Sequence, residues 1–220
     1  MTLKILSAHY SPSIEALELP AFRGAVIHTL GKENQLFHNH QDDKSVSYLY
    51  PKIQYKRIAK SPALICINIP QEYTQLLFVH PTIPLVLKAQ TLHLSLQQLK
   101  LTEHQLAIGK VESYSLTSWI ALNSENYQKY LAMSDELSKT AFLEAILKGN
   151  IISFAKGVGW EIEQTIQLRI DDIQRVKLVP FKGQRLTAFD ITFRTNVSLP
   201  EYIGLGKGVS LGFGTIGKHI

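Results

Sequence analysis

The chain has 220 residues, of which 45% are hydrophobic and 19% are charged, with a formal net charge of +5 at pH 7. This composition is typical of a folded globular protein and excludes a disordered chain. The longest apolar runs, such as ALICINI at 63–69, have only strand length. The N-terminus shows no signal-peptide pattern, so we expect a cytoplasmic protein without a membrane segment, whose mild basic excess permits an anionic partner.

The elements predicted for the first half follow a β-α-β-β-α-β order. TLKILSAHYS is read as a strand, and apolar residues at helical spacing predict a helix from Pro20 to Gly31. VSYLYPKIQYKRI and ALICINI form a predicted hairpin, followed by a short helix at 71–79 and a strand at 84–87. This order is that of the ferredoxin-like, or RRM-like, fold.

The second half is predicted to vary the same order. Residues 105–122 are strand-rich, and 124–157 are helical with an expected interruption at Gly149 and Asn150. WEIEQTIQLRI, at 160–170, alternates as a half-buried strand does. In the next predicted strand, the expected core residues are Phe189, Ile191, Phe193, Val197 and Leu199, and the expected outward residues are Asp190, Thr192, Arg194 and Asn196.

Together these elements predict an α+β protein with two tandem ferredoxin-like β-α-β-β-α-β domains. We place the domains at 1–100 and 101–220, with a candidate catalytic loop in the first and a glycine-rich loop in the second.

The glycine-rich segment, GLGKGVSLGFG at Gly204–Gly214, contains five glycines and one lysine in eleven residues. Its spacing excludes a dinucleotide fingerprint, and a P-loop is excluded because Gly208 follows the lysine where Ser or Thr is needed. Two interpretations remain open. The segment is either a glycine-rich hairpin or a nest of backbone N–H groups that binds phosphate, with Lys207 adding charge.

A second concentration of polar groups is FHNHQDDKSVSYLYPKIQYK, at 37–56. A period of two assigns one face of the strand to the core and gives the other face the side chains Tyr48, Tyr50, Lys52, Gln54 and Lys56. The loop with His38 and His40 precedes this polar face. Metal-free cleavage of RNA needs a base for the ribose 2′-OH, an acid for the leaving oxygen and a cation for the phosphorane, and these residue types supply all three.

Two other interpretations of this stretch stay open. The histidines and tyrosines can be ordinary loop and packing residues. Alternatively, His38, His40 and Asp42 form an HxHxD pattern that can hold zinc, although no further histidine follows directly.

Four stretches, taken together, resemble the CRISPR-associated repeat-processing endoribonucleases, in particular the type I-B-like subgroup. They are FRGAVIHTLG, LFHNH with YLYPKIQYK, WIALNSENYQKY with LKGNIISFAKGVG, and LPEYIGLGKGVSLGFGTI. The resemblance implies two ferredoxin-like domains, RNA near the cleft between them, and metal-independent cleavage of CRISPR precursor RNA. The implied products carry a 5′-hydroxyl and a 2′,3′-cyclic phosphate.

The resemblance also implies residue roles. His40 is the expected general base, with His38 as the alternative; Tyr48 or Tyr50 would assist proton transfer or hold the phosphate, and Lys52 would stabilise the transition state. The expected RNA contacts are Lys44, Gln54, Lys56, Arg194, Gly204, Gly206, Lys207, Gly208, Ser210, Gly212 and Gly214. No metal and no cofactor are expected. Leu211 departs from the pattern, because many relatives carry arginine there.

The expected partners are CRISPR repeat RNA and other subunits of a CRISPR interference complex, and the protein would be a monomer or a homodimer. Three alternatives remain. They are a repeat-RNA-binding subunit that does not cleave, a metal-dependent hydrolase, and a structural partner without RNA affinity.

Overall fold

The computed structural model describes residues 1–30, 50–88 and 90–219. These residues form two compact units, each of which is described by itself. The N-terminal unit contains Thr2–Gln105 together with Ser210–Gly212, and the C-terminal unit contains Met1, Leu106–Val209 and Phe213–Ile220.

The N-terminal unit is a five-stranded antiparallel sheet with helices. Its elements are β1 (Thr2–Ser11), α1 (Leu19–Leu30), β2 (Ile53–Ile58), β3 (Ser61–Ile67), α2 (Gln71–Val79), β4 (Thr82–Leu87) and β5 (Gln90–Gln105). The strand order is β2-β3-β1-β5-β4. The strand predicted at 84–87 therefore lies at the edge of the sheet. The longer β5 pairs with β1 and takes the place that the last strand has in a ferredoxin-like order.

The core of this unit forms between the sheet and α1. The buried face of α1 presents Leu19, Phe22, Val26 and Leu30, which follow the helical repeat. Phe22 packs edge-on against Tyr10 and Tyr55, with ring centroids 5.9 Å and 6.1 Å apart respectively. Cys66 is buried in the same core, and burial raises the pKa of its thiol to about 12, so it is a packing residue.

The C-terminal unit repeats the ferredoxin-like order with one change. Its elements are β6 (Ile108–Trp119), α3 (Ser124–Ala132), α4 (Glu136–Gly157), β7 (Leu168–Phe181), β8 (Gln184–Val197) and β9 (Thr215–Lys218). The strand order is β7-β8-β6-β9. The glycine-rich segment, with one turn of 3-10 helix at Val209–Leu211, stands where the second helix of the fold is expected. The prediction of two tandem ferredoxin-like domains is thus confirmed.

The helical stretch of this unit is interrupted elsewhere than predicted. The interruption expected at Gly149 and Asn150 is wrong, because α4 runs through both residues. The break lies at residues 133–135, where the Asp135 side chain accepts a hydrogen bond from the Ser138 N–H and caps α4. Asn150 is kept in the helix with its Oδ1 accepting a hydrogen bond from Trp119 Nε1 at 2.9 Å.

The strands of this unit agree with the alternation only in part. The five predicted core residues of β8 and its end are all fully buried, which confirms that face. Thr192 and Asn196 were expected to face outward and are also buried. Asn196 is buried because its amide bonds the backbone of the preceding loop, donating to Thr165 O at 3.1 Å and accepting from Gln167 N at 2.9 Å. These loop residues belonged to the strand predicted at 160–170, of which only the last three residues lie in β7.

Within the described ranges, no helix combines the length and apolar character needed to cross a membrane.

Candidate functional site

The start of β2 carries the part of the candidate catalytic region that the structure describes. Tyr50 is half-buried and Lys52 is exposed, both just before the strand begins at Ile53. The Lys52 carbonyl accepts a hydrogen bond from the Ile67 N–H at 2.8 Å, so pairing with β3 holds the backbone that presents the lysine. His38, His40, Lys44 and Tyr48 lie outside the described residues.

Gln54 is fully buried and positions the hydroxyl of Tyr50. Its Nε2 donates to the Tyr50 hydroxyl at 2.9 Å and to the Pro51 carbonyl at 3.1 Å. Both amide hydrogens are therefore used, and the tyrosine oxygen is the acceptor. Because an amide nitrogen accepts nothing in return, the Tyr50 proton must go to a different acceptor. The Gln54 Oε1 is buried and has no hydrogen-bond partner among the described residues.

Lys56 is also fully buried, and burial lowers the pKa of its ammonium to about 7. Gln54 and Lys56 were predicted to face outward and contact RNA, and the predicted exposure is wrong. Residues 53–56 are all buried, so both faces of β2 are covered over this stretch. Alternation identified the two faces of the strand correctly but not that the polar face is enclosed.

Elsewhere in the described ranges, no group of three or more His, Cys, Asp and Glu side chains is arranged to hold a metal ion. The HxHxD pattern lies outside those ranges.

Close packing explains the glycine at position 206 of the glycine-rich segment. Gly206 has a φ of +89°, and a Cβ there would lie 2.7 Å from Trp119 Nε1. Trp119 is itself fully buried, so the ring has no room to move away. Glycine is therefore needed at position 206 so that the segment can pack closely against Trp119.

The end of the segment is packed as tightly. A Cβ on Gly214 would collide with the carbonyl oxygen of Leu205. The Leu205 N–H also donates a hydrogen bond to the Gly214 carbonyl, at 2.8 Å. A Cβ on Gly212 would collide with Leu19 within the N-terminal unit and lie 3.3 Å from the Tyr55 carbonyl oxygen.

The other predicted residues of the segment differ in accessibility. Gly204 is buried and bridges to Thr215, while Ser210 is half-buried in the 3-10 turn. Lys207 is exposed, and its N–H is anchored by the Ile120 carbonyl at 3.1 Å. Its Nζ lies 5.5 Å from the ring centroid of Phe181.

Arg194, on β8, is exposed as predicted, but its charge is already paired. Its Nε lies 2.9 Å and 3.0 Å from the two carboxylate oxygens of Asp171, and its Nη2 is 2.8 Å from Oδ1. The hydrogen bonds to this carboxylate raise the pKa of the guanidinium above its ordinary value.

Three residues beside Lys207 were not predicted as site residues from the sequence. Phe181, Lys182 and Phe213 adjoin it at the end of the β7–β8 hairpin. The sequence signal was FKG at 181–183, an aromatic and a lysine at a glycine turn between two strands.

Comparison with family models gives two matches that together cover nearly all of the chain. A model for the Cas6b N-terminal domain matches residues 1–105, and a model for the Cas6b C-terminal domain matches residues 107–219.

Comparison with individual proteins gives the same family. A crystal structure of Cas6b is 30% identical, with full coverage of both chains and a TM-score of 0.88. A structure of a CRISPR RNA processing endoribonuclease Cas6b is 26% identical, also with full coverage of both chains, and has a TM-score of 0.76. An uncharacterized protein of Methanocaldococcus jannaschii, MJ0978, is 33% identical over 119 residues, which are 54% of this chain and 80% of that protein.

Proposed function

Since the chain belongs to the Cas6b family of CRISPR RNA processing endoribonucleases, we propose that it cleaves precursor RNA within the repeats by a metal-independent transesterification. The ribose 2′-oxygen attacks the adjacent phosphorus as its proton passes to a base. The bond from phosphorus to the 5′-oxygen breaks, and that oxygen takes a proton from an acid. The products are a 2′,3′-cyclic phosphate and a 5′-hydroxyl. The full-length match of both units to one enzyme family carries this proposal.

The proposed roles follow the chemistry of each group. His40 is the general base, with His38 as the alternative, because imidazole exchanges protons near neutral pH. Tyr48 or Tyr50 donates a hydrogen bond to the reacting phosphate, and the hydrogen bond from Gln54 that fixes the position of the Tyr50 oxygen supports Tyr50. Lys52, exposed at the start of β2, stabilises the charge on the phosphorane.

The proposed RNA contacts are Lys44, Lys207 and backbone N–H groups of the glycine-rich segment. Arg194 is left out because Asp171 already pairs with its charge. Gln54 and Lys56 are left out because they are buried. The domain division expected at residue 100 is not kept, because it would fall within β5. The proposal also includes a cytoplasmic location, a monomer or homodimer, and association with other CRISPR complex subunits.

The test is cleavage of the protein's own end-labelled repeat RNA in EDTA. His38→Ala, His40→Ala, Lys52→Ala and a repeat with a 2′-deoxy at the scissile nucleotide are run beside it. We expect one cut, abolished by the deoxy substitution and by one histidine change, and slowed about 10²- to 10³-fold by Lys52→Ala.

Other results would replace the proposal. RNA that is bound but stays intact would identify a binding subunit that does not cleave. Cleavage only after a divalent metal is added would identify a metal-dependent hydrolase.

A further inference from the structure

Two aromatic rings and two lysines meet at the end of the β7–β8 hairpin in the C-terminal unit. The ring centroids of Phe181 and Phe213 are 5.7 Å apart, with an interplanar angle of 77°. The Nζ atoms of Lys207 and Lys182 lie 5.5 Å and 5.9 Å from the Phe181 centroid. These four residues are called the Phe181 cluster below.

The backbone of the glycine-rich segment holds both rings in place. A Cβ on Gly208 would lie 2.7 Å from Phe181 Cε2 and 2.9 Å from Phe213 Cδ2. The Phe213 N–H also points to the Gly208 carbonyl, at 3.4 Å. Both rings are only half-buried, so part of each stays accessible to solvent. The result is an aromatic surface that is rigid and partly open.

The two lysines of the cluster are exposed, and no described carboxylate pairs with either of them. Among the ion pairs formed by described residues, none uses Lys182 or Lys207. On the same hairpin Lys177 is paired with Asp190 at 2.7 Å. An anion near this ring would be attracted by both ammonium groups.

We propose that the Phe181 cluster binds one unpaired nucleotide of the RNA. The base stacks on the accessible part of the two rings, and the adjoining phosphate contacts Lys182 and Lys207. Stacking of a base contributes more than an exposed cation–π contact, so the base displaces a lysine, whose ammonium then reaches the phosphate. Every base has a π face, so the subsite accepts any base. This proposal rests on the proposed function, which makes RNA the substrate.

The ordinary alternative is that the rings only pack the hairpin against the glycine-rich segment. In that case their removal changes stability and leaves RNA binding intact.

The first arm of the test follows the base. Repeat RNAs carrying 2-aminopurine at one unpaired position at a time are titrated with the full-length protein, and quenching of the fluorescence reports stacking. We expect quenching at one position, lost in Phe181→Leu and retained in Phe181→Trp. The Kd of Phe181→Leu should rise about tenfold, and by the same factor at low and high salt. Phe78→Leu, which changes a phenylalanine that is 63% exposed in the N-terminal unit, is the matched control.

The second arm follows the phosphate. Lys182→Gln and Lys207→Gln should each flatten the plot of log Kobs against log salt by about 0.7, the contribution of one phosphate contact on single-stranded RNA. Lys129→Gln removes the same charge from an exposed lysine of the same unit that is already paired with Glu125, and should leave the slope unchanged.

Two results would overturn the subsite. One is a Phe181→Leu protein that quenches 2-aminopurine and binds RNA as Phe78→Leu does. The other is a Lys182→Gln protein with an unchanged salt slope, which decides the question even if Phe181→Leu fails to fold. In both cases cleavage by the wild-type protein leaves the proposed function standing. If the wild type neither binds nor cuts repeat RNA, both proposals fail.

Discussion

At the scale of single residues, the buried Lys56 has a measurable effect on stability. Burial disfavours its charged form and brings its pKa to about 7, whereas in the unfolded chain the group titrates near its ordinary value. Between these values the unfolded state holds a proton that the folded state has released. Stability contributed by this group therefore rises with pH above 7, and at or below pH 7 the folded state bears the whole cost of burying the charge.

We expect Lys56→Met to be more stable than the wild type at pH 6.5 and to lose most of that advantage by pH 9. Above pH 7, the free energy of unfolding of the wild type should rise relative to that of the variant by ~1.4 kcal/mol per pH unit. Urea unfolding at pH 6.5, 8 and 9 measures the difference. Lys100→Met, at an exposed site on β5, should show no such trend. A pH-independent difference for Lys56→Met would mean that the ammonium stays charged in the folded protein.

The hydrogen bond from Gln54 to Tyr50 gives a second prediction at this scale. If Gln54 acts on cleavage by positioning the Tyr50 hydroxyl, its loss matters only while that hydroxyl is present. Gln54→Leu and Tyr50→Phe should each slow single-turnover cleavage about tenfold, and the double variant should be no slower than Tyr50→Phe. Thr192→Val, another buried polar change, is the control. If the two rate reductions instead multiply in the double variant, Gln54 does not act through Tyr50.

At the scale of elements, two glycines of the C-terminal unit should respond oppositely to the same substitution. Gly206→Ala places a methyl group 2.7 Å from Trp119 Nε1 at a φ of +89°, so we expect a loss of about 3 kcal/mol of unfolding free energy. Gly149 lies in the interior of α4, where an added Cβ would meet no atom within 4 Å beyond the helix's own backbone and the neighbouring residues. Gly149→Ala should therefore raise the free energy of unfolding by about 0.5–1 kcal/mol. Chemical unfolding checks both. A neutral Gly206→Ala would contradict the tight packing of the segment.

Elements were predictable from sequence where a local pattern decides them. α1 and the core face of β8 follow from apolar spacing, and both were confirmed. The continuity of α4 through Gly149 was missed because the packing of Leu147 and Ile151 outweighs the weak helix propensity of glycine. The enclosure of Gln54 was missed because alternation along one strand says nothing about what covers its polar face. Among the proposed catalytic groups, roles came from resemblance, since one sequence does not encode how side chains meet in space.

At the scale of the whole molecule, the net charge of +5 does not identify the cations that meet RNA. Arg194 and Lys177 are held by Asp171 and Asp190, whereas Lys52, Lys182 and Lys207 are exposed and form none of the ion pairs among described residues. These three lysines are among the cations that the proposals place against RNA phosphates, so binding should be sensitive to salt.

Three phosphate contacts predict a slope of about −2 or steeper for log Kobs against log salt, measured between 50 and 500 mM KCl. Asp171→Asn, which releases Arg194, should strengthen binding and steepen the slope by up to about 0.7. Glu125→Gln, with the same change in charge, releases Lys129 and should do neither. A slope near zero would contradict RNA binding through phosphates.

The assignment of Ser210–Gly212 to the N-terminal unit also bears on how the protein is made. When Gln105 has left the ribosome, the surface at Leu19 and the Tyr55 carbonyl still lacks Gly212, which packs there in the finished protein. At translation rates of 5–20 residues per second the wait is on the order of ten seconds. The nascent N-terminal unit is thus completed only after most of the C-terminal unit has been synthesised, and the two cannot reach their final form strictly one after the other.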